Sequence, residues 1–111
     1  MTEIGSYRAG VLGATGIVGQ ALVSRLAAHP WFRLVALAGS ERSAGRPYRD
    51  AVRGMPGPGV GTGILDETVR PCKPSALDDC DIVFSALDAE VALGVEREFV
   101  DAGFAMTIGW S

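Results

Sequence analysis

Three glycines at three-residue spacing, in the run Val11-Leu12-Gly13-Ala14-Thr15-Gly16-Ile17-Val18-Gly19-Gln20, constrain this chain more than any other feature. They follow an apolar stretch and open a segment whose apolar residues recur at helical spacing, so they mark a tight strand-to-helix turn. In such a turn Gly13 permits the sharp reversal, Gly16 lets backbone N–H groups approach a pyrophosphate, and Gly19 lets the helix pack closely on the sheet. The helix start adds partial positive charge toward a bound phosphate. The spacing differs from the commoner G-x-G-x-x-G, and a Gly-rich turn in an ordinary α/β domain is the plain alternative.

The surrounding pattern is β-α-β. Tyr7 to Leu12 predicts a first strand; Val18, Leu22 and Leu26 give one apolar face to a helix over about 16–28, ended by His29-Pro30. Arg33 to Ala38 predicts a second strand whose continuous apolar run suits a sheet covered on both faces. Residues 39–63 are rich in Gly, Pro, Arg and Ser and predict a long loop, with a short helix near 47–53 and Met55-Pro56-Gly57-Pro58-Gly59 at its centre. Ile64-Leu65 or Thr68-Val69-Arg70 is expected to form a short third strand, with a capped turn at Ser75–Asp79 before a strand at Asp81–Ser85. Asp88 is expected to cap a helix that buries Val91, Val95, Phe99 and Ala102 and stops at Gly103, before a last strand from Phe104 to Ile108. The fold class predicted is α/β, a partial Rossmann-type doubly wound parallel sheet with strand order 3-2-1-4-5.

At 111 residues this is one domain, able to bury roughly 65% of its unfolded surface. A net charge of −3 lacks the basic stripe of a nucleic-acid binder. No apolar run reaches spanning length and the N-terminus has no leader pattern, so a cytoplasmic location with no membrane partner is expected. Cys72 and Cys80, with one histidine in the chain, indicate neither a zinc site nor a disulfide framework. Asp78, Asp79 and Asp81 cluster as a metal site would, but suit a solvated turn better.

Cofactor choice falls to the end of the second strand, about twenty residues past the last turn glycine, where the adenosine ribose lies in a dinucleotide fold. Ser40, Arg42 and Ser43 offer two hydroxyls and a guanidinium to a 2′-phosphate, favouring NADP, while Glu41 argues for NAD by offering a carboxylate to the ribose hydroxyls. Ser85, at a strand end, either faces the nicotinamide side or satisfies a local backbone group. Thr15 is similarly divided between a phosphate contact and a helix cap. His29 has no serine or cysteine to form a relay and is expected to face solvent, with Trp31 and Phe32 packing beneath the second strand. Cys72 lies in a Pro-flanked segment where Lys73 would lower its pKa slightly; with no paired base it is not read as a nucleophile. Neither cysteine is expected at the carboxyl end of a strand.

Four blocks in order, Gly13-Ala14-Thr15-Gly16-Ile17-Val18-Gly19, His29-Pro30-Trp31-Phe32, Ser40-Glu41-Arg42-Ser43-Ala44-Gly45 and Asp81-Ile82-Val83-Phe84-Ser85-Ala86-Leu87-Asp88, resemble the N-terminal half of the archaeal and fungal aspartate-semialdehyde dehydrogenases. The resemblance covers most of residues 7–105. It implies an NADP-linked interconversion of aspartyl phosphate and aspartate semialdehyde in lysine, threonine and methionine biosynthesis, by enzymes that are homo-oligomers. It also implies a cofactor site in which Gly13 makes the turn, Thr15, Gly16, Ile17 and Val18 hold phosphates, Ser40, Arg42 and Ser43 the 2′-phosphate, and Ser85 and Leu87 the nicotinamide side. Related N-acetylglutamyl-phosphate and malonyl-CoA reductases share the plan, and a stand-alone nucleotide-binding or sensor module is the alternative outside enzymes. A short-chain dehydrogenase would need Tyr-x-x-x-Lys, whereas Tyr7 is followed by Val11 and Tyr48 by Val52. The family's catalytic cysteine, histidine and substrate arginine lie beyond the matched region and cannot be carried over. Residues 1–111 are therefore expected to be a truncated cofactor-binding domain without the catalytic second domain, silent by itself.

Overall fold

Ala9, Val11 and Leu12 are buried completely, as a central strand covered on both faces requires. In the computed structural model, which describes residues 7–52 and 62–107, they belong to β1 (Tyr7–Leu12). The chain continues through α1 (Ile17–Ala27), β2 (Phe32–Gly39), the one-turn helices α2 (Tyr48–Ala51) and α3 (Thr62–Leu65), and β3 (Arg70–Pro71). A 3₁₀ turn at Pro74–Ala76, then β4 (Ile82–Ser85), α4 (Ala89–Asp101) and β5 (Ala105–Thr107) complete it. The strands form one parallel sheet in the order β3-β2-β1-β4-β5, the order expected. The chain thus reverses direction across the sheet between β1 and β4, where open α/β sheets hold their ligands.

Alternation along the strands sends side chains to two separate cores. Val11, Leu37 and Phe84 pack with Leu22, Val23 and Leu26 of α1 and with Tyr48. Leu12, Ala38 and Val83 pack on the other face with Leu77 and with Phe99 of α4. Phe32 meets Phe84 edge-on at 5.4 Å, tying the start of β2 to β4 on the α1 face.

The structure corrects the third strand. Ile64 and Leu65 lie in α3, and Thr68 makes only an isolated antiparallel bridge to Pro47. Val69 is spent on the preceding loop: its N–H donates to Arg46 O and its carbonyl accepts from Gly45 N. That leaves Arg70 and Pro71 to pair with Ala38 and Gly39, and a proline, having no N–H, suits an edge. The Arg70 guanidinium reinforces this short strand by donating to Val35 O, Ala76 O and both oxygens of Asp79.

Three smaller expectations also change. Asp88 holds the N-cap position of α4 without a side-chain capping bond; its carbonyl accepts from Val91 and Ala92. Phe99 is buried and Val95 half-buried, but Val91 is exposed where the first turn of α4 borders a cleft, and Ala102, the C-cap, is exposed as well. Trp31 is 59% exposed and lies edge-on against His29, whose Nδ1 accepts the Trp31 backbone N–H at 3.1 Å, so His29 is a half-buried turn residue. The Pro/Gly run at 55–59 and Ile108 onward lie outside the described residues. Among the described residues no helix is long and apolar enough to cross a membrane.

Candidate functional site

The turn after β1 is built by two glycines with different duties. Gly13 has φ +73°, and a Cβ there would lie 2.8 Å from Ala86 O, so a side chain is excluded by conformation and by β4. A Cβ on Gly19 would overlap the Gly13 carbonyl and approach Ala14 Cα to 2.8 Å, so α1 sits directly on the turn. Beside Gly16 the nearest atom to an added Cβ is Gly13 O at 3.9 Å, leaving open space where a ligand backbone could come close. Ala14 N–H donates to Ala38 O and Ala86 N–H to Leu12 O, locking the turn to the ends of its neighbouring strands. Tyr48, fully buried, donates its hydroxyl to Ala14 O at 2.6 Å; burial pushes its phenol pKa up, keeping it a donor.

A cleft of about 670 Å³ opens over this turn, at the carboxyl ends of β1 to β4. Gly16 caps α1 without a side-chain bond, and the N–H groups of Ile17 and Val18 have no backbone acceptor among the described residues. Ile17 is nonetheless 81% exposed; with Val18 it borders the cleft. Free donors, a helix start and an apolar rim suit a phosphate flanked by flat rings.

Of the residues the sequence singles out, Gly13, Thr15, Gly16, Ile17, Val18, Ser40 and Leu87 line this cleft together. Arg42 and Ser43 stand just outside it, on the turn where the Ser43 and Ala44 N–H groups donate to Ser40 O. Arg42 is exposed and makes no ion pair among the described residues, while Ser43 is buried against Gly39. Ser85 is also buried, and its hydroxyl donates to Glu96 Oε2 of α4 at 2.5 Å, neither to a local backbone group nor into the cleft. Thr15 supplies no cap to α1. The sequence reading missed Pro71, Cys72 and Lys73 from the end of β3, and Val91 and Glu98 from α4. The signal for the first three was the register of β3, which composition does not reveal.

Cys72 corrects an expectation, since it follows directly on β3 and borders the cleft, its thiol donating to Gly39 O at 3.5 Å. Burial raises its pKa, with a smaller opposing effect from the Gly13 backbone, so the expected lowering by Lys73 does not occur. Cys80 lies at the far end of β4, with its pKa pushed up to about 11 by burial and then by Asp79. Both remain thiols near neutrality. Asp79 and Asp81 pair with Arg70 and Arg8, whose hydrogen bonds hold both carboxyls below the usual carboxylate range. Since a depressed pKa stabilises the fold above the ordinary carboxylate pKa, that contribution is lost as pH falls through the folded value. No cluster of metal-ligating groups occurs among the described residues.

A glycine turn and an uncapped helix start, placed at the reversal point of a doubly wound sheet, define the class of nucleotide-binding α/β domains. Comparison with known proteins narrows the class. The family model described as semialdehyde dehydrogenase, NAD binding domain, matches residues 8–108, and the chain belongs to this family. It is 47% identical over 102 residues to the aspartate-semialdehyde dehydrogenase of Saccharomyces cerevisiae, covering 92% of this chain and 28% of that protein. Against the Archaeoglobus fulgidus enzyme it is 45% identical, covering 90% and 29%. The crystal structure of the Candida albicans aspartate-semialdehyde dehydrogenase with NADP superposes with a TM-score of 0.84 at 46% identity, covering 90% of this chain and 28% of that one. The chain thus spans little more than a quarter of the length of these relatives.

Proposed function

We propose that residues 1–111 form the cofactor-binding domain of an NADP-dependent aspartate-semialdehyde dehydrogenase, which oxidises aspartate semialdehyde in the presence of phosphate or reduces aspartyl phosphate. The observation that carries this is the cleft over the Gly13 turn, with N–H donors at the start of α1 that have no backbone acceptor among the described residues. NADP supplies hydride transfer; the chain's own part is to bind and orient it. Gly13, Thr15, Gly16, Ile17 and Val18 take the pyrophosphate, and Ser40, Arg42 and Ser43 the 2′-phosphate. Leu87 stands on the nicotinamide side of the cleft, with Ser85 buried behind it and its hydroxyl given to Glu96 of α4. The Candida enzyme, solved with NADP, supports this assignment.

Titration of the purified chain is expected to show tighter binding of NADP than of NAD. Arg42→Ala should weaken NADP roughly ten- to hundredfold with little effect on NAD, as loss of a charge-assisted bond of about 1.5–3 kcal/mol implies. Equal curves for the two cofactors in the unaltered chain would remove NADP from the assignment.

The same 111 residues are expected to give no NADPH from aspartate semialdehyde, phosphate and NADP. Cys72 lies on the β3 side of the cleft, Cys80 lies at the opposite end of the sheet, and both thiols are held protonated by burial. Positioning a cofactor cannot replace a thiolate and its base. NADPH formation that disappears in Cys72→Ser or Cys80→Ser would show the opposite.

A further inference from the structure

We infer that Lys73 supplies a second cation, beyond Arg42, that meets the 2′-phosphate of the adenosine ribose and strengthens the preference for NADP over NAD. The inference rests on the dinucleotide reading above and names a residue outside the serine and arginine loop.

Geometry places Lys73 beside Ser40. Pro71 pairs with Gly39 in the sheet, so β2 and β3 end side by side. The Cys72 thiol then bonds Gly39 O, and the Lys73 N–H turns back to Pro71 O at 2.9 Å. Pro74 follows, and Lys73 is extended at φ −135°, ψ 142°, as a residue before proline must be. Its backbone is therefore fixed beside the end of β2, from which Ser40 and Glu41 leave, and all three line the cleft.

Charge gives the position its meaning. The other charged side chains lining the cleft are the carboxylates of Glu41, Asp88 and Glu98; Lys73 is the cation among them. A phosphate carrying up to two negative charges cannot settle beside Glu41 without a compensating positive charge. Arg46 donates to Asp50 O, Arg49 pairs with Asp66 and Arg70 with Asp79, while Arg42, which likewise makes no ion pair among the described residues, stands just outside the cleft. Lys73 makes no ion pair or side-chain hydrogen bond among the described residues, so its charge is uncommitted. An ammonium on a flexible stem serves as a point charge for phosphate. NAD, with a hydroxyl in that place, gains nothing from it.

The test titrates the 111-residue chain with NADP and, separately, with NAD, comparing the unaltered chain, Lys73→Met and Lys73→Arg. Lys73→Met should weaken NADP about tenfold or more and leave NAD within about twofold, while Lys73→Arg retains most of the NADP affinity. Lys73 is exposed, and far-ultraviolet circular dichroism checks that the fold is kept. Normal NADP binding by Lys73→Met, or equal weakening of both cofactors, overturns the role of Lys73 while leaving the proposed function standing. Failure of the unaltered chain to bind either cofactor overturns both.

Discussion

Gly19→Ala is expected to lower the thermal midpoint of the chain by more than about 10 °C, equivalent to about 3 kcal/mol of lost stability for a domain of this size. The added methyl group meets backbone on every near side: it overlaps the Gly13 carbonyl and lies 2.8 Å from Ala14 Cα and from Gly13 C. No rotamer change can relieve contacts with main chain. The turn cannot retreat either, since Ala14 is bonded to Ala38 through its N–H and to Tyr48 through its carbonyl. The helix must therefore lift, drawing Leu22, Val23 and Leu26 out of the α1 core. Against a total of about 5–15 kcal/mol for such a chain, that loss is a large share. A melting curve by circular dichroism decides the matter, and an unchanged midpoint would mean that the close seat of α1 is not needed.

Gly16→Val, three residues away, should do the reverse: NADP binding falls at least about a hundredfold while helix content is preserved. Gly16 has φ −79° and ψ 175°, a conformation open to any residue, and no atom lies closer than 3.9 Å to the added Cβ. Replacing glycine with valine at an N-cap costs about 1 kcal/mol, which the fold can absorb. The branched side chain would fill the space in which the Ile17 and Val18 N–H groups face a pyrophosphate. Paired titration and circular dichroism separate the outcomes. A variant that does not fold makes Gly16 structural, and one that binds normally removes the phosphate cradle.

The contrast between these glycines also marks what sequence can reveal. Spacing alone identified the turn, and the continuous apolar runs of β1 and β2 identified central strands, because both signals are local and one-dimensional. The sheet order followed from the β-α-β pattern. The third strand begins two residues later than Thr68-Val69-Arg70 suggests because its length depends on a distant competitor: Arg46 and Gly45 occupy the backbone of Val69, and no local feature announces that. Tyr48 was read only as a failed Tyr-x-x-x-Lys motif, although its hydroxyl braces the turn across 34 residues of sequence. The apolarity of Trp31 points to the interior, but its ring finds an edge contact with His29 at the surface. Ser85 was placed at a strand end correctly, and its partner Glu96 lies on a helix whose rotation the apolar pattern fixes only loosely.

One wall of the cleft is held in an unusual way. β3 contributes two residues to the sheet, and the Arg70 guanidinium carries much of what ladder bonds would normally do. A short edge with few backbone rungs and a partly exposed hub opens at a lower free energy than the sheet beneath it. Whatever spans from Pro71–Lys73 to the Gly13 turn adds the missing rungs, so occupancy and the quieting of this edge are one equilibrium viewed from its two ends. Amide exchange around Arg70 would then slow with ligand concentration while β1 stays unmoved, making the weakest strand the best reporter of the cleft.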